Sequence, residues 1–248
     1  HYMDLLPRAQ LHARQGQQPV SLGGLAKGGA IAAGIVVGEG GALTIKEEAS
    51  LTGGNFCNVY SEGNISVEGG SYDGAKGYNI VNAGTLSLSD GMLEGEASRG
   101  NIYSSGELNV TGGQLTKAGA YNVFVADGGS ALLSGGSIAG AGTANVLISD
   151  SGEAEITGEA AIISGTAGIV NYGTLDVEKA TIELNMTNIQ NYGTANIKES
   201  DIQQSTVNNI VNEETGSLAL TDTNVTNSGA IAIHNNKGSI SFEGLAVR

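Results

Sequence analysis

A chain of 248 residues with 40 Gly, 2 Pro, no Trp and one Cys has no disulfide framework, while 40% hydrophobic residues are enough for a continuous core. The formal net charge of -14 and the pI near 4.4 argue against nucleic acid and anionic membrane as partners. No stretch reaches the ~20 apolar residues of a membrane-spanning helix, so no membrane insertion is expected.

Residues 1–28 lie outside the pattern that governs the rest and are expected to form an N-terminal cap or arm. Pro7 suits a first helical turn and Gly16 a C-terminal stop, which predicts a short helix covering the open first coil. Lys27 and the run "GGAIAAGIVVG" flow straight into the repeat, so they read as the first buried coil and not as a signal sequence.

From residue 29 to 248 the chain is periodic. Asn followed by Val or Ile occurs at Asn58, Asn79, Asn101, Asn122, Asn145, Asn188 and Asn209, with Gly34, Gly168 and Ala230 in the same slot; the spacing is about 20 to 24 residues. Each unit continues with a turn glycine, then a stretch alternating apolar and polar such as "TLSLS" or "TLDVE". A second turn and one isolated apolar residue complete it. Period-two alternation broken by glycine predicts short strands and leaves no window for a helix. Three strands and three turns in about 22 residues are one coil of a parallel β-helix. The predicted fold is therefore all-β, a single right-handed parallel β-helix of about ten coils, the hand following the general crossover preference. At ~4.8 Å per coil the rod is about 45 to 50 Å long.

The inward positions form columns. Ile65, Leu86, Leu108, Ala131, Ala154, Leu175, Ala195, Leu218 and Ile240 are expected in one file, with Val67, Leu88, Val110, Leu133, Ile156, Val177, Ile197, Leu220 and Phe242 in the next. The asparagines of the slot are expected to stack as a structural ladder of amides, one per coil. In the strand after the slot, inward Val59, Ile80, Ile102, Val123, Val146, Ile169, Ile189, Ile210 and Ile231 leave Tyr60, Val81, Tyr103, Phe124, Leu147, Val170, Gln190, Val211 and Ala232 outside. An apolar stripe of that kind calls for a cover: the N-terminal arm, a second copy, or a partner protein or glycan. Tyr60, Tyr103, Phe124 and Leu147 are then the candidate binding residues. A one-residue slip of register would instead turn them into the core.

Chemistry-bearing residues are sparse. Cys57 reads as a small buried hydrophobe. The histidines His1, His12 and His234 have no ligand spacing, and no metal or cofactor is expected. Asp127 and Asp150 fall in equivalent slots of neighbouring coils and are the weak catalytic candidates, since a hydrolase needs two nearby carboxylates. Their contexts, "DGG" and "DSG", are also ordinary turn chemistry, and that reading is preferred.

The Asn-x-Gly-Thr-Leu phrase with its following Gly-Gly resembles the repeats of right-handed β-helical surface proteins: autotransporter-type passenger domains and adhesin-like proteins of gut bacteria. The resemblance covers roughly residues 29 to 245 and implies an extracellular fragment at the bacterial cell surface. On that basis the expected role is non-catalytic, adhesin-like or a structural spacer, with a host or bacterial surface protein, a glycan, or self-association along the stripe. The alternative is a carbohydrate-active enzyme, a polysaccharide hydrolase or lyase on a pectin-lyase-like β-helix, because the fold alone does not set function. The lyase form is disfavoured by the single arginine inside the repeat, Arg99, and by the net negative charge. A further alternative is a segment of a longer self-associating fibre.

Overall fold

The computed structural model describes residues 12–13, 20–22, 25–27, 33–95 and 99–248. Among them every regular element is a strand, and corresponding strands of successive coils pair in parallel. A typical coil is Ala144–Ile148, Glu153–Thr157 and Ala161–Ile163, giving three ladders that run the length of the rod. The first ladder is an eleven-stranded parallel sheet from His12–Ala13 to Ile231–Asn235. In two coils the second and third ladders share one strand, Asn64–Asp73 and Thr85–Glu94, which bends at Gly70 and Gly91, both with positive φ.

The expected columns are in register. Ile65 pairs with Leu86, Leu86 with Leu108, and the file continues through Ala131, Ala154, Leu175, Ala195 and Leu218 to Ile240. These residues are buried as far as Leu218, in one cluster with Val59, Ile80 and Ile102 of the first ladder and Leu93 and Leu115 of the third. A fully buried Leu or Ile contributes about 2 kcal/mol, so stacking small aliphatics coil on coil accumulates stability without large aromatics.

The two ends depart from expectation. Of the segment predicted as a capping helix, only His12–Ala13 are described, and they form a strand paired with Val36–Val37; the rest lies outside the described residues. Val20–Leu22 and Leu25–Lys27 likewise pair with Leu43–Ile45 and Ser50–Thr52, so the ladders extend below residue 29. At the other end Ile210 pairs with Ile233, not Ile231, which is 44% exposed. The loop before this strand is two residues longer than the slot pattern implies, and Phe242, last in its column, is 66% exposed with no coil above it.

Buried amides hold the coils at one spacing. Asn58 Nδ2 donates to Asn79 Oδ1 at 2.8 Å, Asn79 to Asn101 at 2.7 Å, Asn101 to Asn122 at 2.8 Å and Asn122 to Asn145 at 2.9 Å. Each also donates to a third-ladder carbonyl, as Asn58 does to Asp73 O and Asn122 to Ala139 O, both at 2.8 Å. Gly168 interrupts the file, and Asn185 from the following turn fills the gap. Asn145 donates to its Oδ1 at 3.2 Å, Asn185 donates to Asn188 at 3.0 Å, and Asn188 to Asn209 at 2.9 Å. A Cβ at Gly168 would sit 2.7 Å from the Asn185 amide nitrogen, so the missing side chain is what admits the substitute rung.

A second file of amides lines the turn between the first and second ladders. Asn171 donates to Asn191 at 2.8 Å, Asn191 to Asn212 at 2.8 Å and Asn212 to Asn235 at 2.7 Å. Lower down only Asn82 and Ser104 are linked in this position, at 2.9 Å, and Val125 and Ile148 fill the two coils between. The glycine that follows is required by the same stacking: a Cβ on Gly84 or Gly106 would overlap the carbonyl oxygen of Gly63 or Gly84 in the coil below.

Replacing the substitute rung, Asn185→Ala, removes one of the two acceptors of the Asn145 amide and the acceptor of the Gly165 N–H, and should cost about 3 kcal/mol. In urea unfolding the midpoint should fall clearly, whereas Asn196→Ala on the outer face should stay within about 0.5 kcal/mol of the parent. Equal midpoints for the two variants would remove the ladder from the account of stability.

Candidate functional site

The asparagines of the slot are 0–2% exposed and committed to one another and to backbone carbonyls, so they offer nothing to a ligand. Cys57 is buried beside Tyr78, and burial pushes its thiol up to about 12, which leaves an unreactive neutral thiol.

The apolar stripe lies on the outer face of the first ladder, in the order Tyr60, Val81, Tyr103, Phe124, Leu147, Val170. It is largely self-covered. Tyr78 and Tyr121, from the start of their strands, lean over it: Tyr78 and Tyr103 have ring centroids 5.5 Å apart, Tyr103 and Phe124 meet edge to face at 5.1 Å, and Tyr121 and Phe124 lie at 5.6 Å. Cys57, Tyr78 and Val81 are buried beneath Tyr60, Tyr103 and Phe124, while Leu147 packs with Ala144, Ala167 and Val170. Aromatic pairs of this kind contribute about 1 kcal/mol each, so the stripe acts as a second hydrophobic cluster outside the coil.

Asp127 and Asp150 sit on exposed turns of adjacent coils, between the first and second ladders. Asp127 Oδ1 accepts the Ser151 N–H at 3.4 Å, and hydrogen bonds from the Ser149 side chain and the Ser151 backbone hold its carboxyl below the usual range. This ties one turn to the next, and neither aspartate lines a cavity described below.

A concave feature among the described residues lies on the outer face of the second ladder. A groove of about 300 Å³ is lined by Glu107, Asn109, Leu132, Glu153, Glu155 and Asp176, among others. It shares Glu155 and Asp176 with a neighbouring cavity of about 370 Å³ that continues to Glu178, Asn196 and Lys198. Strand alternation explains the lining. Leucine, alanine and isoleucine point into the coil, and the residues between them form an outer column: Asn109, Leu132, Glu155, Asp176 and Asn196, one per coil.

Within that column Glu155 and Asp176 are the adjacent pair of carboxylates. They are register partners in neighbouring coils, so their backbones stand one strand spacing, about 4.8 Å, apart. Asn196 Nδ2 donates to Asp176 Oδ1 at 2.8 Å and fixes that carboxylate, whereas Glu155 makes no hydrogen bond among the described residues. Leu132, one coil below Glu155, supplies an apolar floor, and the buried Oδ1 of Asn109 beyond it has no partner. At the far end Lys198 reaches Glu178 at 3.8 Å and Glu199 at 3.3 Å, while Lys179 lies 3.1 Å from Glu178. The Lys179 side chain, then the Lys198 charge, keeps the Glu178 carboxyl below its ordinary range. Among the described residues no group of three or more His, Cys, Asp or Glu has the geometry to hold a metal ion.

Glu155 and Asp176 were legible only as two polar residues on the outward face of a strand. Both carboxylates fall in one column, in consecutive coils, and both line the groove, whereas of the other such pair, Glu68 and Asp90, only Glu68 lines a cavity. The slot alignment contains that information once the second strand, and not the turn, is taken as the frame.

No family model matches the chain, and no curated protein matches it in sequence. Its fold is shared with solved structures. The A-module of Azotobacter vinelandii mannuronan C-5 epimerase AlgE6 aligns over 96% of this chain and 83% of its own length, at 13% identity and a TM-score of 0.67. The A-module of Azotobacter vinelandii mannuronan C-5 epimerase AlgE4 aligns over the same shares, at 10% identity and a TM-score of 0.52. Against the expectation of a non-catalytic protein, both of these structures are enzymes by name; what they share with this chain, at 10 to 13% identity, is the parallel β-helix fold described above.

Proposed function

We propose that the protein is a carbohydrate-active enzyme, a glycoside hydrolase that holds a neutral polysaccharide in the groove of the second ladder. The observation that carries this reading is the Glu155–Asp176 pair: two carboxylates at register-paired positions of adjacent coils, on one exposed face beside the groove. A close pair of this kind suits a hydrolase that retains anomeric configuration.

In this assignment Asp176, oriented by Asn196, is the nucleophile. One of its oxygens attacks the anomeric carbon while Glu155 delivers its proton to the glycosidic oxygen, so the C–O bond breaks and the shortened chain leaves as an alcohol. Glu155, now a carboxylate, takes a proton from water as that water attacks the anomeric carbon and releases Asp176. Leu132 offers an apolar surface to a sugar face, and a substrate hydroxyl would satisfy the orphaned Asn109 acceptor.

Hydrolysis is favoured over β-elimination or epimerisation by what lines the groove. Abstracting a proton beside a sugar carboxylate calls for a base and for positive charge to neutralise that carboxylate. The lining supplies Glu107, Glu153, Glu155, Asp176 and Glu178 against the single cation Lys198. A uronate polymer would be repelled along most of its length.

Asp176→Asn and Glu155→Gln should each lower the release of reducing ends from a neutral polysaccharide by about a thousandfold, with circular dichroism and urea midpoint unchanged. Asp127→Asn should leave the rate within about twofold, since its carboxylate serves a turn. Proton NMR of the first product should show retained anomeric configuration. Undiminished turnover by the Glu155→Gln, Asp176→Asn double variant would sink this assignment.

A further inference from the structure

A second feature adjoins the groove. The sequence Asn-Tyr-Gly-Thr occurs in two consecutive coils, at Asn171–Thr174 and Asn191–Thr194. The Asn171–Asn191 hydrogen bond at 2.8 Å locks these turns in register, and the tyrosines that follow are stacked, with ring centroids 4.6 Å apart and an interplanar angle of 10°. Their separation matches the coil spacing, so the ring planes lie across the rod axis. Tyr172 is 43% exposed, and the coil below carries only Ser149 at its position, since Ile148 pairs with Asn171.

The column continues upward with polar groups. Register places Glu213 above Tyr192 and Asn236 above Glu213. Gln190 Nε2 donates to the Tyr192 hydroxyl at 2.7 Å and to Glu213 Oε1 at 3.1 Å, and Asn236 donates to Glu213 Oε2 at 3.0 Å. The amide donors, Asn236 first, hold the Glu213 carboxyl below its usual range and so keep it an acceptor. The turn is fastened by Thr215 Oγ1, which donates to the Tyr192 carbonyl at 2.7 Å.

We propose that Tyr172 and Tyr192, with Gln190, Glu213 and Asn236, form a saccharide-binding platform beside the groove. A flat, rigid aromatic surface next to ordered amide and carboxylate groups suits a pyranose ring, which presents C–H bonds on its face and hydroxyls at its edge. The open aromatic face is the one Tyr172 turns toward Ser149, one coil rise below, while the ring edges and the Gln190, Glu213 and Asn236 groups run up the column beside it. Thr174, two residues after Tyr172, lines the groove, so one polysaccharide chain can touch both. Glu213 selects neutral sugars over uronates by charge. The platform rests on the carbohydrate-directed reading above but uses none of the residues assigned to chemistry.

The test is isothermal titration calorimetry with hexasaccharides of glucan, mannan and xylan, and with a mannuronate hexamer, using the Glu155→Gln, Asp176→Asn double variant so that no ligand is consumed. One neutral hexamer should bind, and adding Tyr172→Ala should weaken it about tenfold, a loss of about 1.4 kcal/mol. Tyr172→Phe should restore affinity, because the ring and not its hydroxyl carries the contact. Urea midpoints measured in parallel separate lost binding from lost fold. Affinity unchanged by Tyr172→Ala, preference for the mannuronate hexamer, or no binding of any hexamer would each overturn the platform. Failure of the hydrolase reading is separate, since it appears as undiminished turnover in the double variant and leaves the binding result standing.

Discussion

The structure depends on one distance, the rise of about 4.8 Å between successive coils. Backbone ladders set it, and the buried amides enforce it, because each Asn side chain must reach both the amide of the next coil and a carbonyl of the third ladder. An amide buried without partners costs more than its bond returns, so a slipped coil would strand several donors at once. The ladder therefore acts on register as much as on stability. Asn185 illustrates the constraint: where the slot holds Gly168, a side chain from another turn is drawn in to bridge Asn145 and Asn188.

The same rise makes the outer surface a ruled grid. Any two residues in equivalent outward positions of adjacent coils stand about 5 Å apart, with no folding required beyond the solenoid itself. Two carboxylates in one column become neighbours, two tyrosines become a stack, and a Glu beside an Asn or Gln becomes a fixed acceptor. Function on such a scaffold is written by substitution within columns.

Most of the architecture was legible because a solenoid repeats its own code. The alternation in "TLSLS" and "TLDVE" identifies inward and outward positions, and the recurrence of Asn fixes where each coil begins. The ends were less legible because the spacing changes there: the last strand of the first ladder comes two residues later than the slot pattern implies. Ile233 and not Ile231 aligns with Ile210, and "VSL" at residues 20–22 joins a ladder although it precedes the recognisable repeat. The second amide file does not show as a period because Val125 and Ile148 interrupt it, leaving too few rungs. Asp127 and Asp150 stand out in sequence because they fall in equivalent slots of neighbouring coils, and the structure has both on turns, as the glycines nearby imply. Glu155 and Asp176 are inconspicuous because nothing in their flanking residues differs from other outward slots.

The outward aromatic stripe shows that side chains facing away from the coil interior can still pack on one another. Tyr60, Tyr103 and Phe124 do face away from the coil interior, but facing outward is not the same as being free. The strand begins with residues such as Tyr78 and Tyr121 whose rings fold back over their neighbours, and the side chains close on one another at centroid distances of 5.1 to 5.6 Å. Much of the driving force for covering that surface is met inside the chain. Tyr172 differs because it stands on a turn, past the end of the strand, with a serine below it and a single ring above, so one aromatic face stays open to solvent. On a solenoid, the place to look for a ligand is where a column changes character between coils, since a uniform column tends to satisfy itself.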